Sequence, residues 1–485
     1  MVTNKWRDMG SDKDDRENVI LYPSPGMGHL LPMIEFARLL VGRNPLLDVT
    51  ILILKPSRSI GSTETFDSSV IAKNSFISFH FLPPVDLSDL PSNMRFDKWM
   101  FVLIHRSKPN VEDYLSDSVY RHPLAFVVDD FCAGSAEAAT RLGVLAYVFM
   151  TGSAAGTGVF LQLSIVHSLT TLSFKDMGSA HINYPGIPPI PADHMPIALH
   201  DRDDVAYEGF LHLSKCMAES DGIIINTFEG LEGKIIRSLR TTGAFNRHIY
   251  SVGPLILSNG EHNRGESGYG FKWLDMQPKE SVVFLCFGSM GTFSRRQLEE
   301  IAVGLERTQH RFLWVVKNSD ENCTLDSLLP KGFLDRTKDR GLVVESWIPQ
   351  VAVLRHEAIG CFVTHLGWNS VLEAISAGVA MIGWPLYAEQ KMNKVFVADY
   401  LKLAIAMEGY GKELVSSTEV ERSVRKIMDD SEAGVAVKEQ CSAMKQVAAE
   451  TVGDGGASTV ALDRLVQDWR ARSQTVESDP IRNLK

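Results

Sequence analysis

Cysteine is scarce and scattered in this chain. Six occur in 485 residues (Cys132, Cys216, Cys286, Cys323, Cys361, Cys441), with no C-x-x-C and no zinc-finger spacing. That excludes a disulfide framework and a Cys-based metal module, and points to reduced thiols in a cytoplasmic protein. Long apolar runs are also missing: none approaches the roughly 20 residues that span a bilayer. The first 18 residues are polar and charged and lack the apolar core of a signal peptide, so they read as a disordered leader. There is no excess of positive charge either. A formal net charge of −10 argues against a nucleic-acid or anionic-membrane surface. No short motif repeats internally.

What is present is an ordinary balance of 45% hydrophobic and 22% charged residues, over a length that favours two or three domains. Val19 to Tyr22 is a short apolar run, followed by Pro23-Ser24-Pro25-Gly26-Met27-Gly28-His29. Leu30, Ile34, Ala37 and Val41 then recur at helical spacing. Strand, glycine loop and helix in that order invite a dinucleotide-binding reading, against which two features count. Leu31 stands where the third glycine of G-x-G-x-x-G belongs, and the next strand, Val49 to Leu54, runs into Lys55 and not an acid. The glycines are better read as bringing backbone close to a substrate, with His29 at a pocket floor.

Apolar strands continue the α/β alternation, and several end in polar residues. Phe126-Val127-Val128 runs into Asp129 and Asp130, and Leu145 to Met150 into Thr151-Gly152-Ser153. Residues 222–228 and 250–254 read as two more strands. Strand ends are where open parallel sheets bind ligands, yet Asp129 and Thr151 could equally cap the helices that follow. Residues 185–205 are rich in proline and polar side chains, a long loop suited to one wall of a pocket. Asp201-x-Asp203 lies there, not at a strand end, and reads as solvated charge. Residues 258–270 are polar and glycine-rich without periodicity, the best linker in the chain. Beyond it, Val282 to Phe287 leads into Gly288-Ser289. Ser289 is either a turn serine or a polar contact at a second pocket.

The most informative stretch is Trp347 to Gln390. Trp347 follows Leu342-Val343-Val344, where an indole offers a flat face to a base, a stacking contribution of roughly 1–3 kcal/mol. A short strand, Cys361 to Thr364, runs into His365-Leu366-Gly367-Trp368-Asn369-Ser370 and then a helix through Ala377. A polar turn opening a helix attracts a diphosphate through its backbone N–H groups and dipole. Ser370-x-x-Glu373 also has the form of a capping box.

Taken together, W-x-P-Q (347–350), H-x-G-W-N-S (365–370) and P-L-x-x-E-Q (385–390) resemble the signature box of the plant UDP-glycosyltransferases of secondary metabolism. G-x-G-H-x-x-P (26–32) and V-V-D-x-F-C (127–132) resemble two further motifs of that family. The likeness spans nearly the whole chain outside leader and linker, and is loosest in the acceptor loops. It implies a GT-B fold, α/β with two Rossmann-like doubly wound domains facing across a cleft. The implied division is an acceptor domain at 19–257, a linker at 258–270, a donor domain at 271–460, and a final helix at 461–485 packing back on the first domain.

The resemblance also implies roles. His29 would be the general base and Asp129 its orienter, although Asp130 stands where relatives are usually apolar. Trp347 would stack on uracil, with Gln350 and Glu373 on ribose. His365, Asn369, Ser370 and Ser289 would hold the diphosphate, and His365 with the helix start would carry its charge. Thr151, Trp368, Glu389 and Gln390 would read the sugar. Gly28, Ile348 and Gly367 join the donor set, and Met27, Phe131 and Met195 the acceptor set.

These roles imply inverting transfer of glucose from UDP-glucose to a hydroxyl of a small phenolic, flavonoid-like acceptor, by a cytoplasmic monomer needing neither metal nor cofactor. Transfer to an aromatic carbon, or from another UDP-sugar, stays open. So do a nicotinamide dehydrogenase and a catalytically silent nucleotide-sugar-binding protein.

Overall fold

The structure is a computed structural model that describes residues 16–54, 68–118, 123–241, 245, 247–256, 268–317, 324–345 and 347–477. Its frame is two parallel sheets. The first has seven strands: β1 (Glu17–Tyr22), β2 (Leu47–Ile53), β3 (Ser78–Phe81), β4 (Pro123–Asp129), β5 (Ala146–Met150), β8 (Gly222–Ile225) and β9 (His248–Ser251). They lie in the order β3-β2-β1-β4-β5-β8-β9. β6 (His181–Ile182) and β7 (Ile190–Pro191) form a separate antiparallel pair. The second sheet has six strands: β10 (Val282–Cys286), β11 (Arg311–Val316), β12 (Gly341–Glu345), β13 (Ile359–Thr364), β14 (Met381–Gly383) and β15 (Ala404–Ala406). Their order is β12-β11-β10-β13-β14-β15. Each sheet reverses direction of growth beside its first strand, the doubly wound pattern whose ligands bind at the carboxyl ends of the strands.

Strand periodicity explains the layers. Ile20 and Tyr22 of β1 join one apolar cluster with Trp99, Met100 and Phe126, whereas Val19 and Leu21 join another with Leu30, Phe36 and Trp469. Helices therefore cover both faces of the sheet, and β4 is buried along its whole length, as central parallel strands are. The second sheet has its own core, which includes Trp314, Phe284, Phe312 and Phe362.

The final helix, Ala457–Glu477, begins before residue 461 and lies against the first sheet. Trp469 is fully buried there, edge-on to Tyr147 with ring centroids 5.8 Å apart. Arg470 pairs with Glu17 at 2.6 Å, and Arg472 with Asp221 at 2.5 Å. Glu17 and Asn18 are thus strand and not leader, because each pairs with β2. Residues 1–15 of the expected leader and 258–267 of the expected linker lie outside the described residues, and a helix already starts at Gly268. The 185–205 stretch contains β7 and two 3-10 turns, and Ile187, Ile190 and Leu199 bury into the first core. Asp201 is engaged by Lys175 at 2.5 Å.

Candidate active site

Parallel strands deliver every residue of the site to one edge of each sheet. On the first sheet, β1 runs into the segment carrying His29, β4 ends in Asp129, β5 precedes Thr151 and β8 precedes Asn226. On the second, β10 leads to Gly288, β11 to Lys317, β12 to Trp347, β13 to His365 and β14 to Glu389. The two edges meet. Asn369 Nδ2 donates to the carbonyl of Gly28 at 2.7 Å, and Trp368 Nε1 donates to the carbonyl of Asn226 at 2.8 Å.

His29 sits in the first turn of the helix Met27–Arg43, which starts earlier than the apolar spacing indicated. Gly26 makes the corner with φ +124°, a left-handed conformation that suits glycine. The His29 Nδ1–H donates to Asp129 Oδ2 at 2.9 Å, whereas Asp130 Oδ1 is 3.8 Å away. Asp129 also accepts from the Phe131 N–H and caps the 3-10 turn Asp130–Ser135, so the residue bonded to His29 is also the cap. Burial alone would lower the His29 pKa, but the charge and hydrogen bond of Asp129, helped by Asp130 and Glu389, raise it to about 9. Burial and the charge of Asp129 push the Asp130 carboxyl well above its usual range. With Nδ1 engaged, Nε2 is the nitrogen left to take a proton.

Thr151 Oγ1 lies 3.4 Å from His29 Nδ1, while Ser153 caps the next helix through Gly156 N–H at 2.9 Å. The capping role that Thr151 could have filled therefore falls to its neighbour. Buried Glu232 accepts from the Ala154 and Ala155 N–H groups and from Thr227, holding this loop in place. Beside His29, Phe131 stands edge-on with centroids 5.6 Å apart and opens an aromatic group with Phe101, Phe210 and Phe160. Only Phe131 of these was singled out by sequence. Met27 packs instead on the opposite face of the sheet, and Met195 is 2% exposed within the core.

On the donor side, the helix Trp368–Ala377 begins at the expected turn, with Gly367 as its N-cap. The capping-box reading of Ser370 and Glu373 is overturned, because both lie inside the helix. They are tied instead to Gln350, whose Nε2 donates to Ser370 Oγ at 2.9 Å and to Glu373 Oε2 at 2.6 Å. Burial raises the Glu373 carboxyl to about 7, against the pull of Gln350 and Arg355. The His365 ring is closed in by glycines. A Cβ at either Gly288, with φ +72°, or Gly367 would lie 2.5 Å from its Nε2.

Burial, and then the charge of Lys317, lower the His365 pKa to about 4, which favours its neutral, hydrogen-bonding form. The nearby cation is Lys317, whose ammonium donates to the Ser289 carbonyl. Sequence reasoning passed over it, although it follows directly on β11 at the site edge.

Trp347 is 54% exposed, whereas Ile348 is 4% exposed and buried in the core. Trp368 is 3% exposed, and its indole N–H is given to Asn226. Gln390, 2% exposed, accepts through Oε1 from the Leu386 and Tyr387 N–H groups at 2.8 and 2.9 Å. Glu389 accepts from Asn393 at 3.1 Å.

A hydrogen-bonded His–Asp pair at one sheet edge, facing a helix start with a cation across a domain boundary, is the arrangement of a GT-B glycosyltransferase. Comparisons with known proteins agree. Residues 271–440 match the family described as UDP-glucoronosyl and UDP-glucosyl transferase. UDP-glycosyltransferase 88B1 of Stevia rebaudiana is 41% identical over 94% of this chain and 99% of its own. Anthocyanidin 5,3-O-glucosyltransferase of a Rosa hybrid cultivar is 40% identical over the same shares. Among solved structures, a Polygonum tinctorium UDP-glucosyltransferase capable of glucosylating indoxyl superposes with a TM-score of 0.86 at 35% identity, covering 94% of this chain and 99% of that one. The chain belongs to this family and is a UDP-glycosyltransferase. Among the described residues, no helix is long and apolar enough to cross a membrane.

Proposed function

We propose that this enzyme transfers glucose from UDP-glucose to a hydroxyl of a small phenolic acceptor, with inversion to a β-glucoside. One observation carries the reading: His29, held by Asp129 at 2.9 Å, sits beside Gly28, whose carbonyl is bonded to Asn369 of the donor turn. The base and the diphosphate cradle therefore share one cleft. A rose relative named for anthocyanidin and a Polygonum relative that glucosylates indoxyl favour an aromatic acceptor.

Uracil stacks on the Trp347 indole. Gln350 and Glu373 hold ribose, and the N–H groups at the start of Trp368–Ala377, with neutral His365 and the Lys317 ammonium, receive the diphosphate. Glu389 and the Gln390 amide meet the sugar hydroxyls. A phenol with an ordinary pKa near 10 is mostly protonated at neutral pH. His29 Nε2 takes its proton as the oxygen attacks the anomeric carbon, and Asp129 stabilises the imidazolium that forms. The transition state has oxocarbenium character, and a single displacement converts an α-linked donor into a β-product. UDP leaves into the helix N-terminus, so the chemistry needs no metal.

Incubation with UDP-glucose and a panel of flavonoids, dihydrochalcones, simple phenols and terpenoid alcohols, followed by NMR of the product, tests this. A β-glucoside of a phenol, formed equally well after exhaustive chelation, is the expected result. An acid-stable product would move the bond to carbon. Strict dependence on added Mn²⁺ or Mg²⁺ would overturn the mechanism.

A further inference from the structure

The sequence spacing of histidine, cysteine and acids shows no metal motif, yet the fold assembles one away from the cleft residues. His212 and Cys216 are one turn apart on the helix Val205–Glu219, and so share a face. Glu137 comes to that face from the helix Ala136–Arg141. His212 Nε2 is 3.5 Å from Cys216 Sγ and 3.8 Å from Glu137 Oε1, and Sγ is 3.9 Å from the same oxygen.

Zinc bonds of about 2.3 Å to sulfur and 2.0–2.2 Å to nitrogen and oxygen set tetrahedral edges of about 3.3–3.6 Å between ligand atoms. The three atoms are within about half an ångström of that triangle. We propose that Glu137, His212 and Cys216 form a three-ligand site for a thiophilic divalent cation, with Zn²⁺ as its best match.

The surroundings fit. Lys108 Nζ holds the other Glu137 oxygen, Oε2, at 2.7 Å, which orients the carboxylate and leaves Oε1 for the metal. Gly134 keeps the ring's place open, since a Cβ there would lie 3.2 Å from His212 Nε2. Cys216 is buried, while the His212 and Glu137 side chains are 57% and 39% exposed, so a fourth, water ligand has an open side. A thiolate with an imidazole disfavours Mg²⁺ and Ca²⁺. On binding, the Cys216 S–H bond breaks, its proton goes to solvent and a sulfur–metal bond forms. His29, Asp129 and Asp130 also lie close together, but they belong to the cleft described above.

The bound ion would brace two helices. One of them carries Phe210, which packs edge-on against Phe131 in the aromatic group beside His29. The site is a stabilising one and takes no part in transfer.

The test is Co²⁺ titration of the untagged, metal-stripped full-length enzyme. A thiolate-to-cobalt charge-transfer band with tetrahedral d–d bands, saturating at an equimolar ratio and bleached by Zn²⁺, is expected. Cys216→Ser should lose the charge-transfer band. His212→Asn, at an exposed position that spares the fold, should lose tight binding. Zn²⁺ should raise the melting temperature of the parent and of neither variant, with turnover under chelation unchanged. Absence of the band, or its survival in Cys216→Ser, would overturn the proposal. So would an equal Zn²⁺ shift in His212→Asn.

Discussion

Trp368 Nε1 donates to the backbone carbonyl of Asn226 at 2.8 Å, and both partners are buried. The donor helix is thereby pinned to the end of β8 in the other half of the molecule, one residue from the point where Asn369 grips Gly28. Cleft geometry is set by these two bonds as well as by apolar packing across the boundary, where Met392, Val395 and Phe396 join the first core.

Trp368→Phe keeps the aromatic bulk and deletes the donor. A buried carbonyl left without its partner costs about 1–3 kcal/mol. The variant should melt at a lower temperature and gain less stability from UDP than the parent does. Thermal-shift measurements with and without UDP decide this. An unchanged melting temperature would show that the bond does not hold the halves together.

His29→Ala should leave UDP binding intact and cut turnover by roughly 10²–10⁴, the usual share of general acid–base catalysis. Asp129→Ala should lose turnover as well, and Asp130→Ala less, because its oxygen stands 3.8 Å from Nδ1 against 2.9 Å for Asp129. Steady-state rates with calorimetric UDP affinities separate the two effects. Near-normal turnover without His29 would sink the mechanism.

The pH profile follows from the same pair. Asp129 raises the His29 pKa to about 9, above its ordinary 6.5, despite burial. A base acts only when deprotonated, and at pH 7 roughly one imidazole in a hundred would be. In the free enzyme kcat/KM should climb with pH until it levels near 9, and fall as pH drops below that. Asp129→Asn removes the charge, so its acid limb should move to lower pH while the plateau falls. A parent limb near 6.5 would contradict the electrostatics.

For the donor, UDP-glucose should be used ahead of UDP-galactose and UDP-glucuronic acid. A glucuronate carboxylate needs a cationic partner, which the Trp368 indole cannot supply. Gln390→Ala should erode the glucose preference by roughly five- to 150-fold, the value of a lost or misdirected bond of about 1–3 kcal/mol. Gln390→Glu retains an oxygen for the Leu386 and Tyr387 N–H groups and removes only the amide donor, which separates loop support from sugar contact. Competition assays with the three donors at equal concentration read the order. Equal transfer of glucuronic acid would refute it.

Local sequence determined the strands and the order of the turns. Val19 to Tyr22, Phe126 to Asp129 and Cys361 to Thr364 are apolar runs that only a sheet covered on both faces can bury, and parallel connection sends their polar ends to one edge. That is why His29, Asp129, Thr151 and His365 were legible as a set. Tertiary structure alone decided what their side chains do. The Trp368 indole faces Asn226, 142 residues away in sequence, and His365 is neutral because burial and Lys317 disfavour its charge. The aromatic group of Phe101, Phe131, Phe160 and Phe210 beside His29, and the Glu137–His212–Cys216 triangle, are drawn from separate helices and loops. Periodicity records which way a side chain faces on its own element. It carries nothing about which element packs opposite, and hydrogen bonding, pKa and metal geometry are properties of that second surface.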